Sequence, residues 1–303
     1  MLDLHRLRLL RELKHRGTLA AVAEALSYSP SAISQHLARL ESEAGVRLLE
    51  PVGRGVALTP QAEILVAHTD ALLERLEQAQ ASIASSLTEI TGTIRIAAFQ
   101  TAALSFIPPA LTRLAEVHPT LRVEMTEMEP EESLPGLLAR RFDLVLGEEY
   151  PGHPQFRPRE LEQQDLIRDP MRLAPPRRGS DVEASMELRD LAAAPWILEP
   201  EGTAARHWAV ALCRDAGFEP DVRFQSTDLL LHVRLVEAGQ AAAMLPDLIW
   251  LAHPRPDHLL PLPGDPVRRI FTAVRRGADR QPAVQAAREV LQLSAKLDVG
   301  GAA

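Results

Sequence analysis

A run of about thirty residues that begins at Thr59-Pro60 constrains the fold most, because it predicts one long amphipathic helix. Thr caps helix N-termini well, and proline suits the first helical position. Along residues 60–90 the heptad positions fall in two series, namely Leu65, Leu72, Ala79 and Ser86, and Thr69, Leu76, Ile83 and Ile90. An isolated helix with one apolar stripe needs a partner, so we expect the same helix of a second subunit to cover it. A helix buried in the core of its own chain is the alternative.

The residues before this helix predict a compact three-helix unit followed by a hairpin. Leucines recur at three-residue spacing from Leu4 to Leu13, and Gly17 ends that helix. A short alanine-rich helix follows at residues 19–26, and Ser29-Pro30 begins a third that ends before Gly45. Two short apolar segments then flank the glycine-rich tip at residues 51–55. Three helices and a hairpin predict a winged helix-turn-helix.

After Gly92 the pattern changes to alternating strands and helices. We expect a strand at residues 94–98, helix 104–117, strand 121–128, helix 134–140 and strand 142–146. This order predicts a parallel sheet with crossover helices. A second α/β unit is expected to begin with a strand at residues 166–173, and residues 268–275 are expected to return to the first unit.

Charge and composition exclude several classes of protein. The formal net charge of -8 argues against a protein that coats nucleic acid by bulk charge. Residues 1–60 nevertheless carry eight Lys and Arg against six Asp and Glu, which suits a DNA-facing end. A single cysteine, Cys213, excludes a disulfide framework. The sequence has neither a secretory signal nor a membrane-spanning run, so we expect a cytoplasmic protein.

Several motifs in the expected order resemble those of the LysR-type transcriptional regulators. The resemblance rests on the segments TLAAVAEAL at residues 18–26, SAISQHLARLE at 31–41, GVRLL at 45–49, LTP at 58–60, AGFEP at 216–220 and LVEAG at 235–239. The resemblance covers nearly the whole chain. It departs at the start of the third helix, where Pro30 stands at a position that is commonly Gln, so operator preferences do not transfer from other members.

The resemblance implies a fold and a division of the chain. A winged helix-turn-helix would occupy residues 1–59, a dimerising linker helix residues 60–91, and an α/β effector domain residues 92–303. That domain would have two lobes, like type 2 periplasmic binding proteins, with lobe I at residues 92–161 and 265–303 and lobe II at residues 162–264. Dimers and tetramers are the usual assemblies, and the sequence leaves the choice open.

Candidate DNA-binding residues lie where a major-groove helix needs donors and acceptors. Ser31, Ser34 and Gln35 are on the polar face of the third helix near its N-terminus, and Gln35 suits adenine. Arg39 suits phosphate, Arg54 at the hairpin tip suits a narrow minor groove, and Thr18 at a helix start suits phosphate. Two symmetric subunits predict an interrupted palindromic operator in double-stranded DNA. A solvated polar face is the alternative, and RNA polymerase is a further candidate partner.

Candidate effector-binding residues lie where helices begin after strands. Thr101 matches a frequent Ser/Thr ligand position of the family and is expected to precede a helix that starts near Leu104. Ala102, Pro130, Gly202, Thr203 and Thr227 complete the set. Hydroxyls and free N–H groups at helix N-termini suit anions, so a carboxylate or amino acid is the expected effector. Ordinary N-capping is the alternative for each threonine.

The sequence contains no motif that predicts catalysis. The nucleophile-elbow, P-loop and dinucleotide-binding motifs are absent from the sequence, and Cys213 lies among apolar residues. We therefore expect neither an enzyme, nor a cofactor, nor a metal. A cytoplasmic solute-binding protein or enzyme with an accessory helical domain is the alternative. The sequence does not identify the effector, the operator, or the direction of regulation.

Overall fold

The structure, a computed structural model, describes residues 1–26, 28–53, 55–153, 157–177, 186–251, 253–256 and 258–300. Its N-terminal unit comprises α1 (Leu4–Arg16), α2 (Leu19–Leu26), α3 (Pro30–Ala44), β1 (Leu49–Val52) and β2 (Gly55–Leu58). β1 and β2 pair antiparallel, which confirms the winged helix-turn-helix.

Local capping fixes the orientation of α3. The Ser29 side chain accepts a hydrogen bond from the Ala32 amide at 3.2 Å, and Pro30 lies in the first turn. Gly45 ends the helix at φ +68°, a left-handed conformation that costs glycine little. One face of α3, with Ile33 and Leu37, is buried against α1 and α2. The opposite face is therefore left to solvent.

The linker helix α4 (Pro60–Ser85) is shorter than expected. Thr59 caps it as predicted, accepting a hydrogen bond from the Ala62 amide. The helix stops at Ser85 instead of continuing to residue 90. The hydroxyl of Ser86 donates to the carbonyl of Ile83 at 2.7 Å, a local bond of the kind that competes with helix continuation.

The α/β part of the chain begins with β3 (Gly92–Ala98), α5 (Gln100–Ser105), α6 (Ile107–Val117), β4 (Leu121–Glu127), α7 (Pro130–Leu138), β5 (Leu144–Glu149) and β6 (Leu161–Ala174). β3 pairs in parallel with both β4 and β5, so the predicted crossover topology is confirmed. The helix expected at residues 104–117 is confirmed as α6, although α6 begins only at Ile107 and a separate short helix, α5, ends at Ser105. Pro108 and Pro109 lack the N–H groups that a continuous helix needs, and they lie in the first turn of α6.

The remaining elements are β7 (Pro195–Leu198), α8 (Ala204–Asp215), β8 (Asp221–Gln225), α9 (Leu229–Glu237), β9 (Ala243–Pro246), β10 (Leu260–Pro261), β11 (Val267–Arg275) and α10 (Pro282–Gly300). β11 lies between β5 and β6 and pairs antiparallel with both, so the predicted return to the first unit is confirmed. β7 and β8 form the parallel pair of the second lobe.

β6 belongs to both lobes. Its residues from Leu161 to Pro170 pair with β11, and those from Met171 to Ala174 pair with β9. The strand is fourteen residues long, so the expectation of a short strand at 166–173 that merely opens the second unit is wrong. Among the described helices, none is both long and apolar enough to cross a membrane.

Candidate functional site

The outer face of α3 presents polar side chains to solvent. Ser31, Ser34, Gln35 and Arg39 are all exposed. The Ser31 hydroxyl lies 3.0 Å from that of Ser29. The side chains of Ser34, Gln35 and Arg39 make no hydrogen bond or ion pair with any described residue, so their donors and acceptors are available to a partner.

Thr18 lies beside this face, at the start of α2. Its hydroxyl is exposed and accepts a hydrogen bond from the Ala21 amide at 3.1 Å, so it caps the helix. Arg54, the hairpin-tip candidate, lies outside the described residues.

Thr101 lies in a different setting from the one expected. α5 begins at Gln100, so Thr101 is inside the first turn of a helix and does not precede one. Its side chain is 1 % exposed, and its Oγ1 accepts a hydrogen bond from Arg268 Nη2 at 2.8 Å. Ala102 is buried as well. The Thr101 hydroxyl therefore stabilises a buried guanidinium of this chain.

Arg268 is the centre of a buried ionic cluster that sequence reasoning missed. Its guanidinium pairs with Glu148 and with Asp169, the latter at 2.7 Å, and lies 5.3 Å from the Phe99 ring centroid. Asp169 also accepts a hydrogen bond from the Leu248 amide. Its acidic partners, Glu148 of β5 and Asp169 of β6, lie 120 and 99 residues from Arg268 in sequence, so no local pattern could have indicated the cluster.

The other effector candidates lie at helix starts around the cleft between the lobes. Pro130 is buried in the first turn of α7. Thr203 caps α8, accepting from the Arg206 amide at 3.2 Å and donating to the Pro200 carbonyl at 3.0 Å, and Gly202 precedes it at φ +96°. Thr227 is exposed, and the cap of α9 is its neighbour Asp228.

Side chains of lobe I occupy the N-termini of both lobe II helices. Glu131 Oε1 accepts a hydrogen bond from the Ala204 amide at 2.9 Å, at the start of α8. The Gln100 side chain accepts from the Leu229 amide and donates to Asp228 Oδ1, both at 2.7 Å, at the start of α9. The lobes are thus held together at two points. The start of α8 is one of the helix starts expected to bind an effector carboxylate, and it holds the Glu131 carboxylate of the chain itself.

Carboxyl groups accumulate around this closed cleft. Burial raises the pKa of Glu129 to about 8, with Glu148 and Glu131 adding to the effect. Burial likewise raises the pKa of Glu148 and that of Glu199. Arg268 opposes these shifts, but Glu148 and Asp169 already balance its charge. The cleft therefore gathers carboxyl groups whose ionised forms are disfavoured.

Ion pairs connect the DNA-binding unit, the linker helix and lobe I. Arg11 of α1 pairs with Asp70 of α4, and His15 Nε2 lies 3.5 Å from Glu160 Oε1. Hydrogen bonding to His15 lowers the pKa of Glu160 to about 2. His15, Asp70 and Glu160 offer ligand atoms within 4.8 Å of one another. Arg11 already pairs with Asp70, so this arrangement suits an ion-pair network better than a metal.

Glu77 joins the linker helix to lobe I. It is 2 % exposed, and its carboxylate lies 2.6 Å from Arg275 and 3.0 Å from Arg140. Gly277, at φ +89°, lies so close to α4 that a Cβ would stand 2.7 Å from the Glu74 carbonyl oxygen. The linker helix and lobe I are therefore in direct backbone contact.

The linker helix also has a face that no described residue covers. Leu72, Leu76 and Ile83 are 52 %, 38 % and 68 % exposed. Thr69, expected on the same stripe, is instead fully buried and donates to the Leu65 carbonyl. The buried side of α4 comprises Ala62, Val66, Thr69, Leu73, Glu77 and Ala81. One side thus packs within the chain, and the other remains open.

Comparison with known proteins places this architecture in context. Residues 4–63 match the model described as bacterial regulatory helix-turn-helix protein, lysR family. Residues 88–295 match the model described as LysR substrate binding domain. The chain is 26 % identical over 247 residues to the transcriptional dual regulator GltC of Bacillus subtilis, covering 81 % of each protein. It is 27 % identical over 232 residues to the HTH-type transcriptional regulator TcbR of a Pseudomonas species, covering 76 % of this chain and 78 % of that protein.

Solved structures share the fold. A full-length OxyR variant from Pseudomonas aeruginosa aligns with a TM-score of 0.62 at 19 % identity, over 97 % of this chain and 95 % of that one. Full-length CbnR in complex with its target DNA aligns with a TM-score of 0.53 at 23 % identity, over 97 % of this chain and all of that one.

Proposed function

Because the chain belongs to the LysR-type transcriptional regulators, we propose that its α3 face binds an interrupted palindromic operator and that an effector in the inter-lobe cleft controls this binding. The class itself is established: the chain is a regulator with a helix-turn-helix domain and an effector-binding domain. The proposal concerns the residues, the assembly and the coupling between the domains. We propose no catalytic step for this protein, and we propose that it acts in the cytoplasm.

The free polar face of α3 is the observation that carries the DNA half of the proposal. Gln35 supplies both a donor and an acceptor, which suits the major-groove edge of adenine. Ser31 and Ser34 flank it, and Arg39 lies one turn further along, where phosphate contacts are expected. Thr18 at the start of α2 and Arg54 at the hairpin tip are the remaining proposed DNA contacts.

The exposed stripe of α4 supports a homodimer. Leu72, Leu76 and Ile83 are spaced to meet the same residues of a second linker helix. Two such subunits would carry two α3 helices to successive major grooves, which gives the interrupted palindrome. A tetramer, as a pair of dimers, is the further assembly that we propose, and RNA polymerase remains a proposed partner.

Effector control requires a connection from the cleft to the DNA-binding unit. Gln100 and Glu131 hold the lobes closed, and Glu77 holds lobe I against the linker helix. An effector that binds one lobe arrangement better than another would shift the population of arrangements. The linker contact would pass that shift to the spacing of the two α3 helices. Thr101, Ala102, Pro130, Gly202, Thr203 and Thr227 border this region as proposed effector contacts or supports.

A gel-shift titration tests the DNA half. We expect the full-length protein to bind duplexes from upstream of its own gene more tightly than scrambled duplexes of equal length, across a range of KCl concentrations. Gln35→Ala should weaken operator binding by about 1–3 kcal/mol, because one bidentate base contact is lost. Gln285→Ala, the same change at an exposed position of α10, should leave binding unchanged. Equal affinity for operator and scrambled DNA would contradict the proposal.

A further inference from the structure

A small cavity lies in lobe II where β7 ends, beside the cleft. Its volume is about 20 Å³, roughly the room for one water molecule or one ammonium group. Glu199, Trp208, His232 and Tyr150 line it, together with apolar side chains that include Met171 and Met244. The cavity thus combines two polar side chains with two large aromatic rings.

The two polar side chains are both buried and leave polar atoms without a partner among the described residues. Glu199 is 9 % exposed, and its carboxylate makes no hydrogen bond or ion pair with any residue in the described part of the chain. His232 is 2 % exposed, and its Nε2 donates to the Ser226 carbonyl at 2.8 Å. Burial lowers the pKa of His232, so the ring is neutral and its Nδ1 is an acceptor. That Nδ1 has no hydrogen-bond partner among the described residues.

The aromatic rings favour a cation at the same place. Tyr150 and Trp208 stack with centroids 5.3 Å apart and planes inclined by 30°. Their π-faces attract positive charge, and Trp does so best. The Tyr150 hydroxyl points away to Glu148, to which it donates at 3.2 Å.

The surrounding charge favours a cation as well. Burial raises the pKa of Glu199, and Glu148, Glu129 and Glu131 raise it further, while Arg268 lowers it. Arg268 is already paired with Glu148 and Asp169. A bound ammonium would stabilise the ionised form of Glu199, whereas a bound carboxylate would disfavour that form further.

We propose that this cavity receives the ammonium group of a small primary amine, and that the effector is an organic cation in place of the acid expected from sequence. An ammonium has three N–H donors, enough for both Glu199 and His232 Nδ1. The inference rests on the proposed function, because it names the chemical class that the effector site takes.

Thermal shift and calorimetry on the full-length protein test it. The probes are primary n-alkylamines from methylamine to n-hexylamine, with the carboxylates and alcohols of equal chain length as controls. We expect at least one amine to raise Tm in a concentration-dependent way, as RT ln(1 + [L]/Kd) requires, and the matched acids and alcohols to have no effect. A shift with the acids and none with the amines would overturn the proposal.

Glu199→Gln keeps the shape of the side chain and removes its charge. We expect it to weaken amine binding at least tenfold, while far-ultraviolet circular dichroism and a cooperative thermal transition without ligand show that the variant folds. Glu201→Gln, two residues along and exposed, is the matched control and should bind amines like the unmodified protein. Equal amine affinity in Glu199→Gln and Glu201→Gln would overturn the assignment.

Proton release gives a readout that a purely structural Glu199 would not alter. The titratable and charged groups around Glu199 are Glu148 of β5 with Tyr150 just after it, Glu129 and Glu131 at the start of α7, Arg268 of β11 and His232 of α9. Because the pKa of Glu199 is raised in the empty cavity, amine binding should release a proton near neutral pH, and affinity should rise with pH. Calorimetry in phosphate and in HEPES, neither of which is a primary amine, measures this release, which Glu199→Gln should abolish.

Failure of this inference is distinguishable from failure of the proposed function. If no amine changes Tm while operator preference persists, the proposal that the cavity binds an ammonium group is contradicted. If operator preference is itself absent, the proposed function falls instead.

Discussion

At the scale of single residues, Glu129 couples the cleft to pH. Its pKa of about 8 results first from burial and then from the neighbouring Glu148 and Glu131. In the unfolded chain the same carboxyl titrates near its ordinary value of about 4.5. Between these two values the folded protein binds more protons at this position than the unfolded chain. Protonated Glu129 therefore contributes stability below about pH 4.5, and the contribution is lost as pH rises to about 8.

Glu129→Gln should flatten the pH dependence of stability. The amide stays neutral, so the free energy of unfolding should decline less between pH 5 and pH 8 than in the unmodified protein, and should be higher at pH 8. Urea denaturation at intervals of half a pH unit measures this. Glu132→Gln, at an exposed position in α7, should follow the unmodified protein. A Glu129→Gln curve parallel to the unmodified one would contradict the raised pKa.

At the scale of secondary-structure elements, α4 has one face that is buried within the chain and one that is exposed. The heptad pattern predicted one apolar stripe, and Leu72, Leu76 and Ile83 do lie together on the open side. The second, buried side packs against α1 and against residues near Gly277 of the effector domain. A helix that contacts its own chain on one side still needs a partner for the other.

Ile83→Glu should break the proposed dimer. Burying an isoleucine is worth about 1.5–3 kcal/mol, and two subunits lose it together while two like charges are brought close. Sedimentation velocity on the full-length protein should show monomers at concentrations where the unmodified protein is dimeric. Gln240→Glu, at an exposed position of lobe II, is the control and should remain dimeric. Unchanged assembly of Ile83→Glu would exclude this stripe as the interface.

The sequence predicted these elements where local chemistry decides them. Ser29-Pro30, Thr59-Pro60 and Gly45 act through hydrogen bonds and backbone angles within a few residues, and all three boundaries are confirmed. The setting of Thr101 could not be predicted, because its partner Arg268 is 167 residues away. Distance in sequence also hid the main partner of Glu77, because Arg275 lies 198 residues away. Helix capping can be predicted from a short segment of sequence, whereas buried ion pairs depend on the completed fold.

At the scale of the whole molecule, Glu77 is the point where the linker helix and lobe I are joined. Its carboxylate accepts from Arg275, which also donates to the carbonyls of Leu137 and Phe142. Arg140 approaches the same carboxylate oxygen at 3.0 Å, and Arg275 also pairs with Asp143. Removing the carboxylate charge would leave Arg140 without an acidic partner among the described residues and Arg275 with Asp143 alone, at a site with little solvent.

Glu77→Gln should therefore lower the free energy of unfolding by about 3 kcal/mol, as expected when one partner of a buried ion pair is removed. Glu63→Gln offers a matched comparison. Glu63 lies in the same helix as Glu77, but it pairs with Lys14 of α1 at an exposed position. That change should cost less than about 1 kcal/mol. Chemical denaturation of both variants measures the difference. Similar losses in the two would contradict the role assigned to Glu77.

The position of β11 also dictates when each part of the chain can fold during synthesis. The core of the DNA-binding unit, with Leu10, Leu37 and Val66, is complete once the first seventy residues have left the ribosome. The sheet of lobe I lacks the strand between β5 and β6 until residues 267–275 emerge, and lobe II shares β6. The N-terminal unit should thus fold early and both lobes late and together. A chain that stops before Val267 would expose two unpaired strand edges, which invite aggregation.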